Sequence, residues 1–174
     1  MDEIELVEYD PRWPDLFAEE AVRLRATLDP GLIVGLEHFG STAISGMAAK
    51  PIIDILIAVR SLAEARAIFV EPLEELGYAF WSDNPKTDRL FFVKGMPPYG
   101  ERRTHHVHVV EPTAEPWLRL GFRDYLRAHP DEARRYADLK RSLAAAHRTD
   151  REAYTDAKAA FVAEIMAKAN SQRT

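Results

Sequence analysis

The residues best suited to chemistry lie in two places. One is the segment His38–Val59, HFGSTAISGMAAKPIIDILIAV. Asp54 sits there inside an otherwise aliphatic run, and an ionised carboxylate in such a strand is costly unless it is paired, hydrogen-bonded or on a metal. The loop before it is built for close approach and anion contact. Gly40 tolerates backbone dihedrals denied to other residues, and Ser41 and Thr42 add hydroxyls beside backbone N–H groups, chemistry that cradles phosphate. Lys50, just before Pro51, places a cation at the mouth of the strand. The plainer alternatives are an ordinary strand connection, a solvated Lys50 and a structural Asp54 held by a backbone amide.

The second place is Thr104–Val110, THHVHVV. His106 and His108 are two apart on a strand, so their side chains share a face. With Asp54 they make a two-His, one-carboxylate set able to hold one divalent metal (Mg, Mn or Zn); the alternative is a pair of imidazoles bonding to their neighbours. Two helical lysines join them. Lys158 falls between Tyr154 and Phe161 on an apolar stripe, and Lys140 shares a face with Tyr136 and Leu143. Such a lysine either snorkels to water or reaches a buried anion. Arg119, Arg123 and Arg127 repeat every fourth residue as a solvated stripe, with Arg123 turned inward beside Phe122.

The elements that must position these groups follow from periodicity. Strands are expected at Ile4–Tyr9, Leu32–Phe39, Ile52–Val59, Tyr78–Trp81, Leu90–Lys94 and Thr104–Val110. Helices are expected from Pro14 to about Leu28, from a Ser61-x-x-Glu64 capping box to Gly77, over Ala114–Ala128, from Pro130 to about His147, and from a Thr149-x-x-Glu152 box to near the C-terminus. Three strands in succession and then helices give an α+β fold: a mixed β-sheet flanked by helices, with a C-terminal helical cap. The 174 residues suit one domain, its core about 1–112 and its helical region about 113–170.

Composition narrows the rest. A net charge of −5 argues against general nucleic-acid binding while leaving room for a small phosphorylated ligand. The absence of cysteine excludes disulfides, thiolate zinc sites and a Cys nucleophile. No apolar run approaches membrane-spanning length and the acidic start lacks signal-peptide order, so a cytoplasmic location is expected.

These motifs resemble the GrpB family. Its core pattern appears as Gly40-Ser41-Thr42, Ala49-Lys50-Pro51 and Ile52-Ile53-Asp54-Ile55. Tyr9-Asp10-Pro11, Arg103 to His108, Phe122 to Leu126, Tyr136 to Lys140 and Tyr154 to Phe161 extend the likeness over nearly the whole chain. The resemblance implies a nucleotidyltransferase-like, polymerase-β-like fold. Gly40, Ser41, Thr42, Lys50, Lys140 and Lys158 would then hold the phosphates of a nucleoside triphosphate, and His38, Arg123 and Tyr154 would contact substrate. Asp54 would serve as catalytic acid and metal ligand. In that superfamily two strand acids one residue apart hold metal, with a third on a later strand; here Leu56 takes the second place, and His106 and His108 occupy the later strand. Three activities follow as expectations: nucleotidyl transfer to a small acceptor, a non-catalytic nucleotide-binding module associated with coenzyme A synthesis, or a single-metal hydrolase using Asp54, His106 and His108.

Overall fold

A computed structural model describes residues 5–172. The sheet is organised by the aliphatic strand β2 (Ile53–Val59), every residue of which is buried except half-buried Asp54. A strand covered on both faces must pair on both edges. β2 runs antiparallel to β1 (Ile33–Phe39) and parallel to β5 (His105–Val110). β4 (Arg89–Lys94) pairs antiparallel with β5, and the short β3 (Tyr78–Phe80) closes the sheet, giving the order β1-β2-β5-β4-β3. The sheet is mixed and flanked by helices, as expected of an α+β chain.

The core has two parts. One face carries Ile53, Ile55, Ile57, Phe92, Val107 and Val109, packed under α1 (Trp13–Thr27) and α2 (Leu62–Glu75). Pro14 in the first turn pre-sets α1. Ser61 caps α2 by accepting a hydrogen bond from the Glu64 amide at 3.2 Å, and Gly77 ends it at φ +86°. The second core lies around Ile44 and Met47 of the β1–β2 connection. It is covered by α4 (Leu120–Ala128), α5 (Pro130–Ala146) and α7 (Ala159–Ser171) through Leu126, Tyr136, Phe161 and Ile165. The helical cap therefore closes over the loop that carries Ser41, not over the sheet as a whole. Among the described residues no helix is long and apolar enough to cross a membrane.

Four local expectations are corrected. The first strand reduces to one bridge, Val7 to Ala49, because it meets the loop between β1 and β2 and not a strand; Ile4 lies outside the described residues. The long third helix breaks at Arg119 into α3 (Glu115–Leu118) and α4. The break lets Trp117 lie on Gly35, where any Cβ would stand 2.6 Å from the indole. The last helix starts one residue late, with Asp150 instead of Thr149 accepting from the Ala153 amide at 2.9 Å. It also divides at Lys158 into α6 (Arg151–Ala157) and α7.

One buried ion network fixes α1 to the far side of the sheet. Glu20 is fully buried and accepts hydrogen bonds from the Tyr78 hydroxyl at 2.9 Å, Lys94 Nζ at 2.7 Å and Arg23 at 2.9 Å. Burial alone would raise the Glu20 carboxyl, but these donors outweigh it and lower it, so it stays ionised. Replacing Glu20 by Ala strands the Tyr78 hydroxyl and Lys94. The expected loss is about 3 kcal/mol of unfolding free energy by urea titration; a loss below about 1 kcal/mol would show that the network does not anchor α1.

Candidate metal and phosphate site

The β2–β5 register sets Asp54 directly opposite His106. Asp54 Oδ1 lies 3.1 Å from His106 Nδ1 and 3.8 Å from His108 Nε2. One donor atom from each of the three side chains falls within 4.8 Å of the others. Burial works to raise the Asp54 carboxyl, yet the hydrogen bonds and charge of the two imidazoles prevail and hold it well below the usual carboxylate range. Burial lowers His108 against the pull of Asp54, favouring the neutral ring that a metal ligand must be. His106 Nε2 and His108 Nδ1 are buried with no hydrogen-bond partner among the described residues. The nitrogens turned toward Asp54 are the other two, His106 Nδ1 and His108 Nε2, and with its carboxylate they form the set that could hold a single divalent cation.

The preceding loop is shaped around that carboxylate. Gly40 takes φ +73°, and a Cβ there would stand 2.6 Å from Asp54 Oδ2, so both dihedral and contact demand glycine. A single 3-10 turn, Ser41–Ala43, follows. Thr42 is buried, and its hydroxyl donates to the Ile52 carbonyl at 3.3 Å. Its one proton being used there, Thr42 accepts from His38 Nε2 at 3.0 Å.

The helical cap brings cations to the same place. A cleft is lined by Ser41, Thr42, Lys50, Asp54, His106, Lys140, Tyr154 and Lys158, together with Leu6, Ala49 and Ile52. Lys158 Nζ lies 4.2 Å and Lys50 Nζ 5.2 Å from the centre of the Tyr154 ring. Lys140, 2% exposed, sits with Nζ 4.8 Å from the Tyr136 ring centre and donates to the Ala48 carbonyl. Burial first, then the charges of Lys158 and Arg141, lowers Lys140 to about 7. Burial and the Lys50 charge lower Lys158 to about 8. Among the described residues Asp54 is the only acidic one in this lining.

Two residues expected at the substrate lie elsewhere. His38 pairs with Ile55 on the opposite face and stacks on Phe17 of α1, ring centroids 4.7 Å apart. Its burial, with the nearby charge of Arg127, lowers it to about 4. Arg123 does turn inward, but it binds Glu37 and the His38 carbonyl, both at 2.7 Å, tying α4 to β1. Of the expected arginine stripe Arg119 and Arg127 are exposed, Arg119 paired with Glu115. Arg127 reaches the loop and donates to the Ala43 carbonyl at 2.8 Å. Phe91 of β4 had no sequence signal beyond its strand; it lies against both histidines, ring centroids 5.1 and 4.7 Å away.

The profile of the GrpB protein family matches residues 3–168. The chain belongs to the GrpB family. It is 54% identical over 169 residues to "UPF0157 protein PA4798" of Pseudomonas aeruginosa, an alignment covering 97% of this chain and 68% of that protein. The crystal structure of the conserved protein GrpB from Enterococcus faecalis superposes with a TM-score of 0.84 at 35% identity, covering 97% of this chain and 99% of that one. A protein named dephospho-CoA kinase from Mycolicibacterium paratuberculosis is 33% identical over 177 residues, covering 89% of this chain and 43% of that protein. The likeness to GrpB thus runs the length of the fold, cap included.

The two depressed lysines predict a pH dependence. Unfolded, each keeps its proton to about 10.5; folded, each releases it near 7 or 8. The unfolded chain therefore binds more protons across this interval, and stability rises with pH. Unfolding free energy is expected to increase between about pH 7 and 9, and the Lys140→Met variant to be more stable with a shallower slope. Parallel slopes for the two proteins in urea titrations would show that Lys140 is not depressed.

Proposed function

We propose that this chain binds a nucleoside triphosphate or a closely related phosphate ester in the lysine-lined cleft, with one divalent cation at Asp54, His106 and His108. The observation that carries this reading is charge. Among the described residues, a chain with net charge −5 lines this cleft with Lys50, Lys140 and Lys158 against the one carboxylate of Asp54. Desolvated cations with lowered pKa gather where an anion is to be received, since the anion restores the charged form. Lys140 and Lys158 take up protons as the phosphates enter and neutralise them. Ser41 offers its hydroxyl from the turn, and the Tyr136 and Tyr154 rings keep the ammonium groups in place. A cation held by the Asp54 set would polarise a phosphate oxygen and neutralise charge developing on it. The reaction this arrangement serves is nucleotidyl transfer to a small acceptor.

One observation favours a second reading, a non-catalytic nucleotide-binding module. Leu56, at the place of a second metal-binding acid, is fully buried, and neighbouring Glu37 is held by Arg123. The relative named dephospho-CoA kinase gives such a module a setting near coenzyme A chemistry.

Both readings require binding. Purified protein loaded with Mn²⁺ or Zn²⁺ is expected to hold one ion per chain by elemental analysis, and Asp54→Ala and His106→Ala to lose it. ATP in hundred-fold excess over its Kd is expected to stabilise the loaded protein by about 2.7 kcal/mol. No shift with ATP, pyrophosphate or tripolyphosphate under any metal would sink the proposal. Consumption of labelled ATP that stops in Asp54→Asn selects transfer, and binding without consumption selects the module.

A further inference from the structure

The sheet ends at β3, and the outer edge of that strand is open. Among the described residues β3 pairs with β4 and with no other strand. The Trp81 amide donates to the Phe91 carbonyl at 3.0 Å, so Trp81, and Ala79 two residues before it, turn their backbone groups toward β4. Tyr78 and Phe80 then direct theirs outward, away from the sheet. An edge guarded against further pairing carries charge or proline on the strand itself. Tyr78-Ala79-Phe80-Trp81 carries neither, and the large Trp81 ring at its end is 47% exposed.

A cleft of about 360 Å³ opens at this strand, separate from the one at Asp54. Phe80 and Trp81 line it from the strand and its end, Leu62 and Arg66 from α2, and Lys86 and Arg89 from the β3–β4 connection and the start of β4. Among the described residues its lining holds these three cations and no carboxylate. Arg89 is already paired with Asp88, at 2.8 and 3.0 Å. Arg66 holds its guanidinium over the Phe80 ring, 5.2 Å from its centre, which keeps that charge beside the residue whose backbone faces out. Unpaired backbone, an exposed aromatic ring and a cationic lining thus meet at one place.

We propose that the outer edge of β3 is a docking site for an extended acidic segment of a partner protein, which adds to the sheet as a further strand. Its backbone pairs with Tyr78 and Phe80, an apolar side chain rests on Trp81, and its carboxylates meet Arg66 and Lys86. In this mode main-chain hydrogen bonds supply affinity and side-chain pockets supply specificity. The charge of the cleft decides against a second copy of this chain as the occupant. A two-fold pairing of β3 with itself would set the same cationic patch on both sides of the contact, and like charges so placed oppose association. The site lies apart from Asp54 and stands whether or not that cleft takes phosphate.

A panel of fluorescein-labelled heptapeptides in which glutamate alternates with leucine, valine or phenylalanine tests it by fluorescence anisotropy on the full chain. The best of them is expected to bind roughly ten-fold more tightly than its counterpart with lysine for glutamate, and to weaken as salt is raised. The same peptide with proline at alternate positions, unable to donate to the edge, should not bind. The Arg66→Glu/Lys86→Glu variant, changed at two exposed positions, should lose roughly ten- to hundred-fold in affinity. Bound peptide should slow hydrogen exchange of the Phe80 amide, which faces out, more than that of Ala79, already turned to β4. Binding by none of the glutamate peptides, equal binding by the lysine counterparts, unchanged affinity in the double variant, or Phe80 exchange unaltered by bound peptide would overturn the edge site. A dimer by light scattering in which the Phe80 amide is already protected would give the edge to a second copy and overturn it as well.

Discussion

Asp54 is an ionised group on the most deeply buried strand of the sheet, and much of the architecture around it exists to make that tenable. Six of the seven residues of β2 are buried, and most of them are aliphatic, so the carboxylate cannot escape to water by local rearrangement. It is kept by partners fixed from outside the strand. The parallel register with β5 delivers His106 and His108, and the positive-φ Gly40 lets the following turn pass against its oxygen without a Cβ in the way. A one-residue slip of β5 would send both histidines to the opposite face. The register is itself held by Val107 and Val109, which must face the α1–α2 core. Hydrophobic burial on one face thus sets the geometry of Asp54, His106 and His108 on the other.

The positive half of the site is assembled by different means. Lys140 and Lys158 come from helices whose main business is the second core around Ile44 and Met47. Their ammonium groups are desolvated, each over a tyrosine ring, and lie near one another's charge. An arrangement optimised for stability alone would put apolar side chains there, since a buried, partly neutralised lysine opposes folding near neutral pH. That cost is confined to the lining of one cleft, where the proposed anion would offset it. Arg123 and Arg127 anchor α4 to the His38 and Ala43 carbonyls on either side of the Gly-Ser turn, tying the cap to the turn.

How much of this was legible in the sequence depended on whether the signal was local. A lone acid in IIDILIAV, a His-x-His pair and lysines on apolar helical stripes are each conspicuous against their own periodicity, and the structure gathers Asp54, His106, Lys140, Tyr154 and Lys158 on one cleft. The strands of the sheet and the Ser61 cap were readable for the same reason. What failed was tertiary. His38 precedes the Gly-Ser turn, yet strand alternation sends its ring to Phe17 on the other face. Phe91 becomes part of the site only through pairing across two strand edges, which no spacing along the chain encodes. The helix break at Arg119 answers to Trp117 lying on Gly35, and the bridge at Val7 to its pairing with a loop residue, Ala49.

Leu56 decides what chemistry the site is equipped for. Its side chain is on the same face as Asp54, between Glu37 of β1 and His108 of β5. A carboxylate there would have supplied the second strand ligand that two-cation phosphoryl transfer uses to neutralise its reacting oxygens. Leu56 is instead fully buried, and Glu37 at its side is bound to Arg123 at 2.7 Å, which holds that carboxylate in the structural link between α4 and β1. With one carboxylate and two imidazoles the site is weaker in charge and softer in ligand type than an all-oxygen one, which tilts it away from Mg²⁺ and toward Mn²⁺ or Zn²⁺. In the reading proposed above, the neutralisation that a second cation would have provided would fall to Lys140 and Lys158, whose lowered pKa values an arriving anion would draw back up.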